Sequence, residues 1–226
     1  MDEDGKELLP TTTTSETIAD IASVVTSVVP WVGGPVSAVL AGVSLNRKIG
    51  RIREVLIDMA DQIKNVTSDE AKKYVQTEDF QDLLEKTLRQ SADERVEEKR
   101  KTYAAFLAND IRLPGQDYDE KLRILRTLEQ VQMDHIRVLK ALLQGPDYGS
   151  ITGNIGSVRQ TLEKRLPDLD STKLIDLAEQ LASMGLTNSV MFTTMMTARG
   201  AEELRHIVTP YGRRFLEFIH PKTEKI

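Results

Sequence analysis

Residues 171–219 read STKLIDLAEQLASMGLTNSVMFTTMMTARGAEELRHIVTPYGRRFLEFI, and the punctuation of this stretch decides the fold of the C-terminal part. Ser171 stands where a helix N-cap belongs, because a hydroxyl there accepts one of the first unpaired amides of the helix. Gly185 falls at the position just past the helix end that favours positive φ, and Leu186 follows as the apolar contact of such a stop. VMFTTMM and ELRHIVT are β-prone runs separated by TARGAE, which predicts a hairpin. Thr209-Pro210 is an N-cap followed by proline in the first turn, so a last helix opens over YGRRFLEFI.

Outward from there, VRQTLEKRL forms a short helix stopped by Pro167, and GPDYGSITGNIGS before it is a glycine-rich loop. MDHIRVLKALL supplies a helix ahead of that loop. Helix, helix, helix, hairpin, helix is the order of a winged helix. The sequence therefore predicts a mainly α protein: an N-terminal helical bundle or hairpin over residues 15–131, then a winged-helix-like module with a small β-hairpin over 132–226. The stretch EKLRILRTLEQ, from 120 onward, fits either part.

The N-terminal part carries its own helical grammar. Leu45, Ile49, Ile52, Leu56, Met59, Ile63 and Val66 recur at alternating spacings of four and three, the mark of one apolar stripe facing a bundle partner or a second copy. Thr67-Ser-Asp-Glu70 and Ser91-Ala-Asp-Glu94 match the capping box and predict two helix starts, and Thr77 caps a third helix carrying Phe80, Leu83, Leu84 and Leu88. In ERVEEKRKTYAAFLANDI the charges come first, with Glu97 and Lys101 paired on the wet face, and the apolar residues follow.

Residues 1–14 are acidic and threonine-rich, without the basic opening of a signal peptide, and read as a solvated, disordered tail. Between Asp20 and Arg47 no charge occurs for 26 residues. Ile21, Val25, Val29, Trp31, Val36, Val39, Leu40 and Val43 form the apolar content of a helical hairpin over 18–46, turning at WVGGP. Arg47, Lys48, Arg51 and Arg53 flank it, as basic residues flank a cytoplasmic membrane boundary. Each arm is too short to cross a hydrocarbon core alone, and serines, threonines, prolines and glycines interrupt the run. Buried core, a membrane-inserting hairpin and a single kinked span are all compatible with it.

Chemistry is sparse. The chain has no cysteine, which excludes disulfides, thiolate catalysis and cysteine zinc sites and fits a reducing compartment. The three histidines, His135, His206 and His220, show no shared ligand spacing. No phosphate-binding glycine loop, nucleophile elbow or zincin motif occurs. No catalytic, cofactor or metal residue and no small-molecule substrate is predicted. A net charge of −5 gives no broad basic surface. The helix that would enter a DNA groove has Lys173 and Gln180 against Asp176 and Glu179, so nucleic acid is disfavoured as a partner.

Three stretches, LRQSADERVEEKRKTYAAFLANDI, EKLRILRTLEQVQMDHIRVLKALL, and LASMGL with the later TPYGRRFLEFI, together resemble the bacterial Abi-alpha family of phage-resistance proteins. The likeness spans roughly residues 80–220 and leaves out the apolar hairpin. It implies a cytoplasmic bacterial or phage-related protein linked to abortive infection, and it transfers no catalytic residue. The resulting expectation is a non-enzymatic defence or toxicity effector, cytoplasmic or peripheral to the inner membrane, acting through the 18–46 hairpin. The alternatives are an oligomeric scaffold using the Leu45–Val66 seam and the winged helix for protein contact, and a transcriptional regulator.

Overall fold

The computed structural model describes residues 46–144, 155–188, 195–197 and 204–221, and an isolated Ser23. The predicted acidic tail, nearly all of the 18–46 hairpin, Leu45 and the tip of the predicted β-hairpin lie outside the described residues. The chain divides into two compact units between Tyr118 and Asp119. The helix that fitted either part thus counts with the C-terminal unit, and the division comes earlier than the predicted boundary at 131/132. Among the described residues the protein is mainly helical, and no helix is long and apolar enough to cross a membrane.

In the N-terminal unit the helices are α1 (Asn46–Ile63), α2 (Asp69–Tyr74), α3 (Glu78–Asp93) and α4 (Glu97–Arg112). The stripe on α1 does what its spacing demands: Ile49, Ile52, Leu56, Met59 and Ile63 are buried, and α1 packs on α4 and α3. Full burial of such a side chain contributes about 1.5–3 kcal/mol before entropy is subtracted. Helix α4 is different. Tyr103 to Ile111 are buried without a break, so every face of the helix is covered. That covering includes two polar side chains, Asn109 and Asp110. The Tyr74 hydroxyl donates to Asp110 Oδ1 at 2.8 Å, and burial together with this carboxylate raises the Tyr74 pKa.

Two of the predicted starts shift. Ser68, not Thr67, caps α2 by accepting from the Ala71 amide, because it is Ser68 that takes the extended conformation. The box at Ser91–Glu94 does not open a helix: Ser91 is buried inside α3 and its hydroxyl donates to Leu88 O at 2.9 Å. A serine bonded to its own preceding turn cannot cap the next helix. The break falls at Glu94–Val96, where the Glu94 carboxylate accepts the Val96 amide at 2.9 Å. Arg100 closes the corner on Arg95 O at 2.9 Å and on Glu54 Oε2 of α1 at 2.8 Å.

The C-terminal unit holds α5 (Tyr118–Gln130), α6 (Met133–Leu143), β1 (Ile155–Ser157), α7 (Val158–Arg165), α8 (Ser171–Ser183), β2 (Met195–Thr197), a 3-10 turn (Leu204–His206) and α9 (Pro210–Ile219). Helix α6 is the hub, packing on α8, α7, the 3-10 turn and α9. Asp170 rather than Ser171 caps α8, accepting from the Lys173 amide at 2.8 Å; Ser171 hydrogen-bonds Glu163 instead. The helix ends as expected: Gly185 has φ +72°, with Leu186 N–H on Leu181 O and Gly185 N–H on Ala182 O, each at 2.9 Å. Thr209 caps α9 through the Gly212 amide, at 2.9 Å, and donates back to Gly185 O at 2.7 Å.

The predicted hairpin between VMFTTMM and ELRHIVT is not the pairing found among the described residues. Met195–Thr197 pairs antiparallel with Ile155–Ser157, in the register Ile155↔Thr197, Gly156↔Met196, Ser157↔Met195. Leu204–His206 is a 3-10 turn. The reason is visible in its burial: Leu204, Ile207 and Val208 face inward while Arg205 and His206 are exposed, a spacing of three and four rather than the alternation a strand needs. An isolated antiparallel bridge, Thr187↔Val208, joins the segments flanking α8 and α9.

Candidate functional site

The part of the C-terminal unit from which a function is best read is the outer face of α8. The inner stripe, Leu174, Leu177, Ala178 and Leu181, is buried. Thr172, Lys173, Asp176, Glu179, Gln180 and Ser183 are exposed. A helix that reads DNA must turn basic and amide side chains toward phosphates and base edges. Here the two candidates are held from the other side. The Lys173 ammonium closes on Asp134 of α6. Asp134 also takes Arg137 Nη1 at 3.0 Å, and Arg137 Nη2 reaches Asp168 at 2.6 Å. The hydrogen bond from Lys173 is the largest influence on the Asp134 carboxyl, and with Arg137 it holds that carboxyl below its ordinary range. Gln180 Oε1 lies 2.9 Å from His135 Nε2. Among the described residues, the charged side chains of α8 that make no ion pair are Asp176 and Glu179, so the charge it leaves outward is negative.

Other arginines of this unit are committed in the same way. Arg165 and Arg205 donate to the last carbonyls of α6, Ala141 O at 2.5 Å and Leu143 O at 3.0 Å. Arg213 donates to Arg205 O, and Arg214 pairs with Glu120 at 3.3 Å. A helix leaves its final carbonyls unpaired and negative, so a guanidinium there satisfies both a lone pair and the helix dipole. Arg199, at the predicted hairpin tip, lies outside the described residues.

The residues singled out from the sequence distribute as follows. Ile21, Val25, Val29, Trp31, Val36, Val39, Leu40, Val43 and the side chain of Arg47 lie outside the described residues. In the basic flank, Lys48 pairs with Asp93 at 2.5 Å and Arg51 donates to Ala92 O at 2.9 Å, so both hold the end of α3; Arg53 is exposed. The seam is brought together, but inside the unit: Ile49, Ile52, Leu56, Met59 and Ile63 are 0–1% exposed, which gives them to intrachain packing rather than to a second copy. Sequence reasoning missed the His135–Gln180 bond and the Asp134 network. Its available signals were the i,i+3 pair Asp134–Arg137 and the cap-to-third-position pair Gln132–His135. Among the described residues no group of three metal-ligating side chains forms, and a surface hollow on α7 is lined by Gln160, Glu163 and Lys164.

No family model, curated protein or solved structure matches this chain.

Proposed function

We propose that this chain is a non-enzymatic adaptor whose C-terminal unit is a winged-helix-like module used for protein contact. The element order supports the module: helix α6, strand β1, helices α7 and α8, strand β2, then a bridged segment into α9. One observation carries the choice of protein over DNA. Lys173 and Gln180, the two side chains α8 would need for a nucleic acid, are bonded back to α6, and Asp176 and Glu179 face outward. The pattern-level likeness to Abi-alpha proteins makes phage defence the setting in which to look for the partner. A photo-crosslinking residue at Glu179 should trap a protein in infected bacterial cells, and Asp176→Lys with Glu179→Lys should abolish that product. Titration with labelled duplex at low salt is the counter-test: tight binding that weakens steeply with added salt would sink this reading.

The membrane-active effector is the second reading, and the uncharged run over 21–46 favours it. The commitment of Lys48 and Arg51 to α3 weakens its basic flank. Flotation with anionic liposomes, full length beside a chain lacking residues 1–45, separates the two. Salt-resistant flotation of the full-length protein alone would make the hairpin an insertion element. The absence of flotation leaves the adaptor.

A further inference from the structure

We infer that Arg205 and Arg213 form a second contact surface of the C-terminal unit, one that takes an acidic segment of a partner protein. Arg205 lies on the 3-10 turn and Arg213 in the first turn of α9, and both are exposed. Arg213 Nη2 donates to Arg205 O, so the second guanidinium lies against the backbone of the residue that carries the first. Each is held by one bond to a carbonyl. Arg205 uses Nε on Leu143 O at 3.0 Å. Its two Nη groups, and Nε and Nη1 of Arg213, make no bond among the described residues. A carbonyl at a helix end carries only a fraction of a charge, so these cations are anchored without being neutralised. A guanidinium presents its N–H donors as a planar fork that matches a carboxylate.

Other arginines of the unit differ. Arg137 lies on Asp134 and Asp168, Arg159 on Glu163, and Arg214 on Glu120 and Glu217. Glu217 stands four residues after Arg213, where a helical ion-pair partner belongs, and it is turned to Arg214 instead. The positive charge of the pair is opposite in sign to the charge α8 leaves outward, so the two surfaces of the unit select partners of opposite charge. The size of the pair and its neighbours then choose among anions. Duplex phosphates bring one charge about every 1.7 Å and call for a row of cations. Glu202 and Glu203 precede Arg205 in the sequence and Glu217 follows Arg213, so a long polyanion meets carboxylates to either side. A short acidic segment that sets its carboxylates on the two forks does not.

The inference is independent of what α8 contacts. Fluorescence anisotropy of a labelled oligoglutamate, titrated with the full chain, tests it. The peptide should bind at low salt and be released as salt is added. Arg205→Gln with Arg213→Gln should weaken binding about tenfold or more. Arg53→Gln, which removes another exposed arginine, on α1, should leave binding unchanged. In the native chain, nitrogen-15 spectra of the arginine side chains should show the Nε signals of Arg205 and Arg213 moving as peptide is added. That spectrum decides even if the double variant does not fold. A peptide that stays unbound overturns the inference, and so do native Nε signals that stay still or an equal loss in Arg53→Gln. Tighter binding of a labelled duplex or of anionic vesicles than of the peptide overturns it as well.

Discussion

Helix α4 of the N-terminal unit and helix α8 of the C-terminal unit are built on opposite plans. Helix α4 is covered on every face from Tyr103 to Ile111 and shows no amphipathic stripe. Helix α8 buries Leu174, Leu177, Ala178 and Leu181 and turns the rest of its surface outward. A helix covered on all sides has nothing to offer a partner; its job is to hold its neighbours. A helix with one stripe inward keeps a face for recognition. On the proposed function the N-terminal unit scaffolds and the C-terminal unit makes the contact, and substitutions in the two units should separate accordingly.

The largest effect is expected from Ile52→Glu with Leu56→Glu. Both side chains are 0% exposed on α1, and an unpaired buried carboxylate is among the most damaging changes known for a core. Loss of the N-terminal unit's cooperative transition in calorimetry is the expected result. Intact folding with a halved mass in light scattering would instead return the seam to an oligomer interface. By contrast, Asp176→Lys with Glu179→Lys on α8 should leave the melting temperature nearly unchanged, within the range of about 0.5 kcal/mol typical of surface changes.

The C-terminal unit has its own intolerant point, where α9 meets the end of α8. A Cβ on Gly212 would lie 2.1 Å from Leu186 O. Backbone cannot yield as a flexible side chain does, so Gly212→Ala should cost about 3 kcal/mol or more, read as a drop in the urea midpoint. Thr209→Ala removes both the cap on Gly212 N–H and the bond to Gly185 O and should cost about 2 kcal/mol. A Gly212→Ala protein of native stability would mean that α9 does not approach Leu186 this closely.

How far the sequence could be read follows from where its information is local. Helix starts and stops at Thr77, Gly185 and Thr209 were legible because a cap involves residues within a few positions of one another. So was the α1 stripe, whose period is a property of one helix. Ser91 misled because its neighbours spell a cap while its burial inside α3 turns the hydroxyl back to Leu88. The hairpin misled because strand propensity does not name a partner; Met195–Thr197 pairs with residues forty positions earlier in a glycine-rich stretch. The basic flank was ambiguous for the same reason. Nothing within residues 47–53 announces that Lys48 and Arg51 meet Asp93 and Ala92, some forty positions on. The outer face of α8 was half legible: its acidity was in the sequence, and the withdrawal of Lys173 and Gln180 was not.

Those long-range arginine contacts sharpen the comparison at a smaller scale. Arg51 on Ala92 O and Arg205 on Leu143 O both end a helix with a guanidinium, one in each unit. Replacing either by alanine should cost about 1 kcal/mol, a few degrees in melting temperature for units of this size. The Arg51 change should also leave liposome flotation unaltered. Reduced flotation in Arg51→Ala at unchanged stability would show that this arginine serves a lipid surface rather than α3.

The smallest expected effect is the acid response of the Asp134 network, and its sign follows from the direction of the shift. Lys173 and Arg137 hold the Asp134 carboxyl below its ordinary range in the folded chain. Its contribution is therefore complete above the unfolded value, about pH 3.9, and is lost as pH falls through the lower folded value. Because Lys173 is about half exposed, solvent screening keeps the gain to a fraction of a kcal/mol. Urea midpoints of the wild type and Asp134→Asn should differ at neutral pH and converge in strong acid. Convergence confined below about pH 4 belongs to the ion network that ties Lys173 to α6, whereas a difference that persists unchanged into strong acid would mean that Asp134 is not held by that network in the folded chain.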